Sequence, residues 1–323
     1  MTVTYIEAIG QAIIGEMERD PSVLLIGEDV GHYAGAFKLS KGFLERFGPQ
    51  RIIDTPIAES AIVGHAIGMA YMGLKPIVEM QFIDLIACAY NMVTNFAAKS
   101  RYRQGLPCPM VIRGPAGGGV RGGPFHSQNV EANFLNIPGI KIVAPSSAAD
   151  AKGLMLSAIR DPDPVLFLEH KYLYRRVKEV VPDNEAVPLG KARICREGSD
   201  FTIVTYGAMV FEALDAAEAI AEQTGAQGEV IDLRCLAPLD METVYTSVRK
   251  TNRCMLVHEA CLTGGPSGEL AARLSEEFFD WLDAPILRVA ALDSPVPYSP
   301  PLEDYFLPKS VDIIHQAKRL IAY

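Results

Sequence analysis

Several common devices are missing from this chain, and each absence removes a class of protein. Its 323 residues hold six cysteines (88, 108, 195, 235, 254 and 261) with no Cys-x-x-Cys pair and no histidine spacing suited to zinc, which excludes a zinc knot and a disulfide scaffold. Basic charge is scarce. The formal charge is −9, and the densest cationic run, Lys99, Arg101 and Arg103, reads as a solvated helix end or a partner contact, so general affinity for nucleic acid or an anionic membrane is not expected. Long apolar runs are also lacking: Ser60 to Leu74 is too short for a bilayer and is broken at Ser60, Gly64, His65 and Gly68. At the amino terminus, Ile6, Ile9, Ile13 and Met17 recur at helical spacing among Glu7, Glu16 and Glu18, which predicts an amphipathic helix and no signal peptide. A reduced, cytoplasmic setting is expected.

What is present is globular: 49% hydrophobic and 21% charged residues over a length that suits two cores. From Val23 onward short Val/Ile/Leu runs alternate with longer helical patterns, at Val23 to Ile26, Ile77 to Met80, Pro109 to Arg113, Ile140 to Ala144 and Val165 to Leu168. That alternation predicts an α/β fold with a parallel sheet covered by helices. Ser146 or Ser147 can cap the helix that runs to Arg160, and Asp161-Pro162-Asp163-Pro164 stops it. Between Leu173 and Ser199 the pattern lapses into charges and prolines, as in an interdomain connection, so the domains are drawn at 1–185 and 186–323. A second alternating set follows, with strands at Phe201 to Tyr206, Glu229 to Leu233, Cys254 to Val257 and Ile286 to Val289. A proline-rich tail precedes a last helix over Val311 to Ile321.

Four places carry candidate chemistry. Glu59 stands in the first turn of the apolar helix, where it serves either as a partner of the helix dipole or as a buried acid that hydrogen-bonds a ligand nitrogen. Gly117, Gly119 and Gly122 match the Gly-x-Gly-x-x-Gly spacing, but Pro124 keeps a helix from opening on the last glycine and no acidic residue follows about 20 positions on, so a dinucleotide loop is rejected. The glycines instead predict a mobile loop that delivers His126, either a proton donor or a surface histidine without a role. His65 reads as a satisfied core histidine, and Ser267 as a helix cap.

Read together, Gly27-Glu28-Asp29-Val30-Gly31, Asp54-Thr55-Pro56-Ile57-Ala58-Glu59, Ala97-Ala98-Lys99-Ser100-Arg101-Tyr102, His126-Ser127-Gln128 and Asp150-Ala151-Lys152-Gly153-Leu154 resemble the beta subunit of the decarboxylating first component of 2-oxo acid dehydrogenase complexes. These are thiamine diphosphate enzymes of the transketolase superfamily. The resemblance implies two parallel-sheet α/β domains, one pyrimidine-binding and one transketolase C-terminal-like. It implies that Glu59 hydrogen-bonds the aminopyrimidine ring of thiamine diphosphate, that Ile57, Gln81 and Leu85 line that pocket, and that His126 guides and protonates groups during acyl transfer to lipoamide. It further implies a structural potassium ion on backbone oxygens around Met110, Ala158 and Ile159, with Asp161 and Asp163 at the turn.

The chain departs from the family at Leu85, where an aromatic residue is usual, and at Tyr90-Asn91-Met92, where Phe-Asp-Gln is usual. It also lacks the Gly-Asp-Gly segment that holds magnesium and the diphosphate, so an alpha subunit is implied to supply it in an alpha2-beta2 heterotetramer. The second domain and Tyr323 are implied to dock on the dihydrolipoyl acyltransferase core. Val120-Arg121-Gly122-Gly123, Leu173 to Glu179 and Glu259 to Gly265 look most like the branched-chain 2-oxo acid enzymes, while Glu169-His170-Lys171 is similar to acetoin dehydrogenase subunits. Pyruvate and acetoin are the alternative substrates. A non-catalytic assembly subunit and a split transketolase half are the rival readings.

Overall fold

The computed structural model describes residues 2–183 and 185–323, which form two compact units. Unit 1 comprises Met1–Ala116 and Asn133–Leu189, and unit 2 comprises Gly117–Ala132 and Gly190–Tyr323. The short segment Gly117–Ala132 therefore groups with the second half of the chain, which no local pattern in the sequence signals.

In unit 1 the elements are β1 (Thr2–Thr4), α1 (Tyr5–Arg19), β2 (Val23–Glu28), α2 (Phe43–Phe47), β3 (Ile52–Thr55), α3 (Glu59–Tyr71), β4 (Lys75–Glu79), α4 (Ser100–Gln104), β5 (Val111–Ala116), β6 (Lys141–Val143), α5 (Ala148–Arg160), β7 (Val165–His170) and β8 (Lys178–Val180). The strands pair in the order β6-β7-β5-β4-β2-β3, each pair parallel, and β1 pairs antiparallel with β8. The amphipathic first helix forms as its spacing predicts: Ile6, Ile9, Ile13 and Met17 are all buried, and a capping box between Thr4 and Glu7 fixes its start. Ser147 caps α5 by accepting the Asp150 N–H, and the α5 residue Arg160 reaches Glu16 of α1 at 2.6 Å.

Strand pairing also builds a buried ion network. Register sets Glu79 of β4 opposite Arg113 of β5, and Glu169 of β7 opposite Pro115, two residues along the same face. Arg113 donates to both oxygens of Glu169 at 2.6 Å and also pairs with Glu79, while Tyr174 donates to Glu169 at 2.7 Å. Burial opposes the Arg113 charge, but Glu169 and Glu79 outweigh it and raise its proton affinity.

In unit 2 the elements are β9 (Arg193–Arg196), β10 (Phe201–Thr205), α6 (Met209–Thr224), β11 (Gly228–Asp232), β12 (Cys235–Ala237), α7 (Met241–Thr251), β13 (Cys254–Cys261), α8 (Pro266–Phe278), β14 (Leu287–Ala291), α9 (Pro300–Phe306) and α10 (Ser310–Ile321). Their sheet order is β14-β13-β10-β11-β9, parallel except for the edge strand β9, which runs antiparallel to β11. β9 lies in the stretch whose charges mask its alternation. The proline-rich tail is packed rather than free: Val296, Phe306 and Leu307 join Ala291 in a buried cluster. Among the described residues no helix is long and apolar enough to cross a membrane.

Candidate functional site

The carboxyl ends of parallel strands are where open α/β sheets bind ligands, and in unit 1 that edge is acidic. β2 and β3 run in register, so Glu28 and Thr55 end side by side. The chain then turns through 56–58 and opens α3 on Glu59, behind an Ala58 N-cap that offers no side-chain bond. Glu59 is buried and faces the positive end of α3. Glu28 is buried next to it. Burial first, and the neighbouring charges of Glu59 and Asp29 second, push the Glu28 carboxyl above the usual range. Two buried carboxyl groups therefore meet at one strand edge, where a ligand nitrogen could be hydrogen-bonded.

The other residues expected here fall around this pair in different ways. Ile57 is 82% exposed on the turn before Glu59, and Leu85 is half-buried. Gln81 reaches the Asp29 carboxylate at 3.4 Å. Thr55 Oγ1 is a buried hydroxyl with no hydrogen-bond partner in the structure. An acid pair, an unpartnered hydroxyl and an exposed aliphatic side chain fit the edge and face of an aromatic nitrogen heterocycle. Phe82 packs edge-on against Phe37 at 5.7 Å. His65 corrects the expectation of a core histidine: it is exposed, with Nδ1 at 2.7 Å from the Ala61 carbonyl. Gly64, one residue earlier, has the Met92 sulfur 3.8 Å from where a Cβ would stand, so this face of α3 packs closely on the segment that departs from the family pattern.

Chain pairing sets Met110, just before β5, against Val165, two residues past Asp163 in the turn that follows Ala158 and Ile159 of α5. Val165 N–H donates to the Met110 carbonyl at 3.0 Å, Cys108 N–H to that of Pro162 at 3.0 Å, and Asp161 N–H to that of Ala158 at 3.3 Å. Both carboxylates are compensated, Asp161 by Lys141 at 2.8 Å and Asp163 by Arg101 at 2.7 Å. The free donor capacity is thus the second lone pair of the backbone carbonyls, which suits a weakly held hard cation better than a divalent one. Among the described residues there is no cluster of three or more His, Cys, Asp or Glu side chains arranged for a metal.

His126 belongs to unit 2, half-buried after the short turn Gly123–Phe125. Its loop is anchored rather than loose. Gly117 N–H donates to the Gln128 carbonyl at 3.1 Å, and buried Glu259 and Glu303 accept from Gly118, Gly119 and Arg121. Gln128, Asn129, Glu259, Cys261 and Phe306 border a cavity of about 200 Å³ beside it. Gly123 carries φ +68, and a Cβ there would stand 2.2 Å from the Tyr298 ring. Gly123→Ala is therefore expected to destabilise unit 2 by about 1–3 kcal/mol, read as a lower denaturation midpoint; an unchanged midpoint would show that Tyr298 yields freely.

Deeper in unit 2, His258 Nε2 lies 2.7 Å from Ser267 Oγ and Nδ1 lies 3.1 Å from the Ala260 carbonyl. Burial pushes the imidazole down to about 4, so it is neutral at pH 7, with its proton on Nδ1 and the serine hydroxyl donating to Nε2. Ser267 is thus no cap: α8 starts at Pro266 behind Gly265. Because both groups are sealed from solvent, the pair fastens α8 to β13 and offers no nucleophile.

Comparison with known proteins agrees with this architecture. The transketolase pyrimidine binding domain family matches residues 1–177, and the transketolase C-terminal domain family matches residues 190–313. Two transketolase-type domains therefore define the class. The 2-oxoisovalerate dehydrogenase subunit beta of Bacillus subtilis (strain 168) is 49% identical over 99% of this chain and 98% of its own. The pyruvate dehydrogenase E1 component subunit beta of Rickettsia conorii is 46% identical over 100% and 99%. A solved split gene transketolase, an inactive beta4 tetramer, superposes with a TM-score of 0.81 at 23% identity over 99% of this chain and 98% of that one, a likeness of fold. The chain belongs to the family of 2-oxo acid dehydrogenase beta subunits.

Proposed function

We propose that this chain is the beta half of a thiamine diphosphate-dependent dehydrogenase that decarboxylates a branched-chain 2-oxo acid and passes the acyl group to a lipoyl disulfide. The observation that carries the reading is the buried Glu28–Glu59 pair at the strand edge of unit 1. Glu59, Ile57, Gln81 and Leu85 would hold the aminopyrimidine ring. When bound, thiamine diphosphate supplies a nucleophilic carbon for the 2-oxo carbonyl and an acceptor for the electron pair that carbon dioxide leaves behind. Glu59, at the first turn of α3, would hydrogen-bond a nitrogen of the aminopyrimidine ring, with Glu28 buried beside it as a second acid at the same strand edge. Ile57 and Leu85 exclude water from the ring.

In acyl transfer a carbon–sulfur bond would form while the lipoyl S–S bond and the bond from the acyl carbon to the cofactor break, the acyl carbon being oxidised as the disulfide is reduced. His126 gives a proton to the departing sulfur. Magnesium and the diphosphate fall to an alpha subunit, with an alpha2-beta2 assembly docked on the acyltransferase core, and the carbonyls near Met110, Ala158 and Ile159 with Asp161 and Asp163 are assigned to a structural potassium ion.

Two observations bear on the alternatives. Glu169, His170 and Lys171 are all buried, and Glu169 is committed to Arg113, so the motif similar to acetoin enzymes is core and carries no substrate information. Arg121, the cation that a sugar phosphate would need, is taken up by Glu303 at 2.7 Å and by Asp304 at 3.0 Å. Co-expression with an alpha subunit and comparison of kcat/KM for 3-methyl-2-oxobutanoate, pyruvate and acetoin tests the substrate. We expect at least about tenfold preference for the branched acid, the range that a hydrophobic pocket provides for added methyl groups. A preference for pyruvate would keep the reaction and overturn the branched-chain assignment.

A further inference from the structure

We propose that Glu303 and Glu259 are positioning residues whose buried carboxylates hold the glycine loop in the conformation that presents His126. The proposal rests on the reading of His126 as the acyl-transfer histidine. Gly117, Gly119, Arg121 and Gly123 all carry positive φ, at 80°, 78°, 65° and 68°, alternating with residues of ordinary backbone. Such alternation turns successive N–H groups toward one concave side and makes a nest for an anion. Glu303 is that anion. Fully buried in the first turn of α9, it accepts from Gly119 N–H at 3.0 Å and Arg121 N–H at 3.2 Å, and its Oε2 takes the Arg121 guanidinium at 2.7 Å.

Arg121 is the one residue of the four that is not glycine, so its left-handed backbone needs outside support. Glu303 supplies it through both main chain and side chain, and Asp304 and the Pro300 carbonyl accept further hydrogen bonds from the same guanidinium. Glu259 closes the neck. One of its oxygens accepts from Gly118 N–H at 2.6 Å and from Asn129 Nδ2 at 3.0 Å, joining the start of the loop to its end with His126 between. The loop is therefore fixed by charge from two distant parts of unit 2, and glycine supplies the conformations without choosing among them.

The test uses the enzyme co-expressed with its alpha subunit and two assays: acyl transfer to a lipoyl domain, and decarboxylation read with ferricyanide as electron acceptor, which bypasses the lipoyl step. Glu303→Gln keeps the shape but replaces the anion with an amide that presents N–H groups to the nest. Acyl transfer is expected to fall about tenfold or more with ferricyanide-linked decarboxylation within about twofold, because a histidine displaced by an ångström loses its reaction geometry. Arg121→Gln removes the loop-side partner at a half-exposed position, should show the same split, and decides the matter if Glu303→Gln does not assemble. A parallel fall in both activities, or no fall in either, overturns the proposal. His126→Ala separates the two ideas: if it spares acyl transfer, the histidine's role fails, and if it abolishes acyl transfer while both loop variants are normal, only the positioning role fails.

Discussion

Replacing Glu59 with Gln is expected to lower thiamine diphosphate-dependent decarboxylation by about 100-fold or more, within the range that general acid–base groups contribute. The amide matches the carboxyl in size and hydrogen-bonds a ring nitrogen, but it has no proton to pass. Because the buried pair would lose one of its two acids, Glu28 should ionise more readily in the variant, and assembly with the alpha subunit should be unchanged. Steady-state kinetics and gel filtration of the co-expressed complex check both halves. An unchanged rate would remove Glu59 from the chemistry and revive the non-catalytic reading.

Arg113→Met is expected to produce the largest loss of stability in unit 1. Glu79 and Glu169 would face each other without their shared cation, and an unpaired buried charge costs about 3–5 kcal/mol. The denaturation midpoint should drop by about 10 °C. Burial already raises Glu79 above the usual carboxylate range despite Arg113, and without the arginine it moves further in that direction. A folded-state value above the unfolded one means that folding takes up protons, so the deficit should shrink as pH falls from neutral toward the acid range and grow as pH rises. Thermal unfolding of wild type and variant across that range measures it. A deficit independent of pH would place its origin in packing instead.

The part of this molecule that obeys local rules was legible in the sequence. α1 and α5 follow from their apolar spacing and their caps at Thr4 and Ser147, and the sheet of unit 1 from its Val/Ile/Leu runs. Glu59 stood out because a carboxylate opened an apolar helix. Glu28 did not, because β2 extends past its apolar run and the acid's importance comes from register with β3, itself only four residues long. His65 reads as a core residue in the sequence because α3 is apolar nearly all round and its pattern selects no buried face.

The glycine loop shows the limit most plainly. Its composition announced conformational freedom, whereas its conformation is decided by Glu259 and Glu303, more than a hundred residues further along. Ser267 likewise reads as a cap in the sequence because its partner, His258, sits on a different element. Long-range hydrogen bonds leave no period in a sequence.

The most direct single measurement is acyl transfer from 3-methyl-2-oxobutanoate to a lipoyl domain by the purified complex of this chain with its alpha subunit, with and without thiamine diphosphate and magnesium. Transfer that requires the cofactor, with stoichiometric carbon dioxide release, is the predicted result. A stable complex that transfers no acyl group from this or any other 2-oxo acid when the cofactor is present would contradict the account.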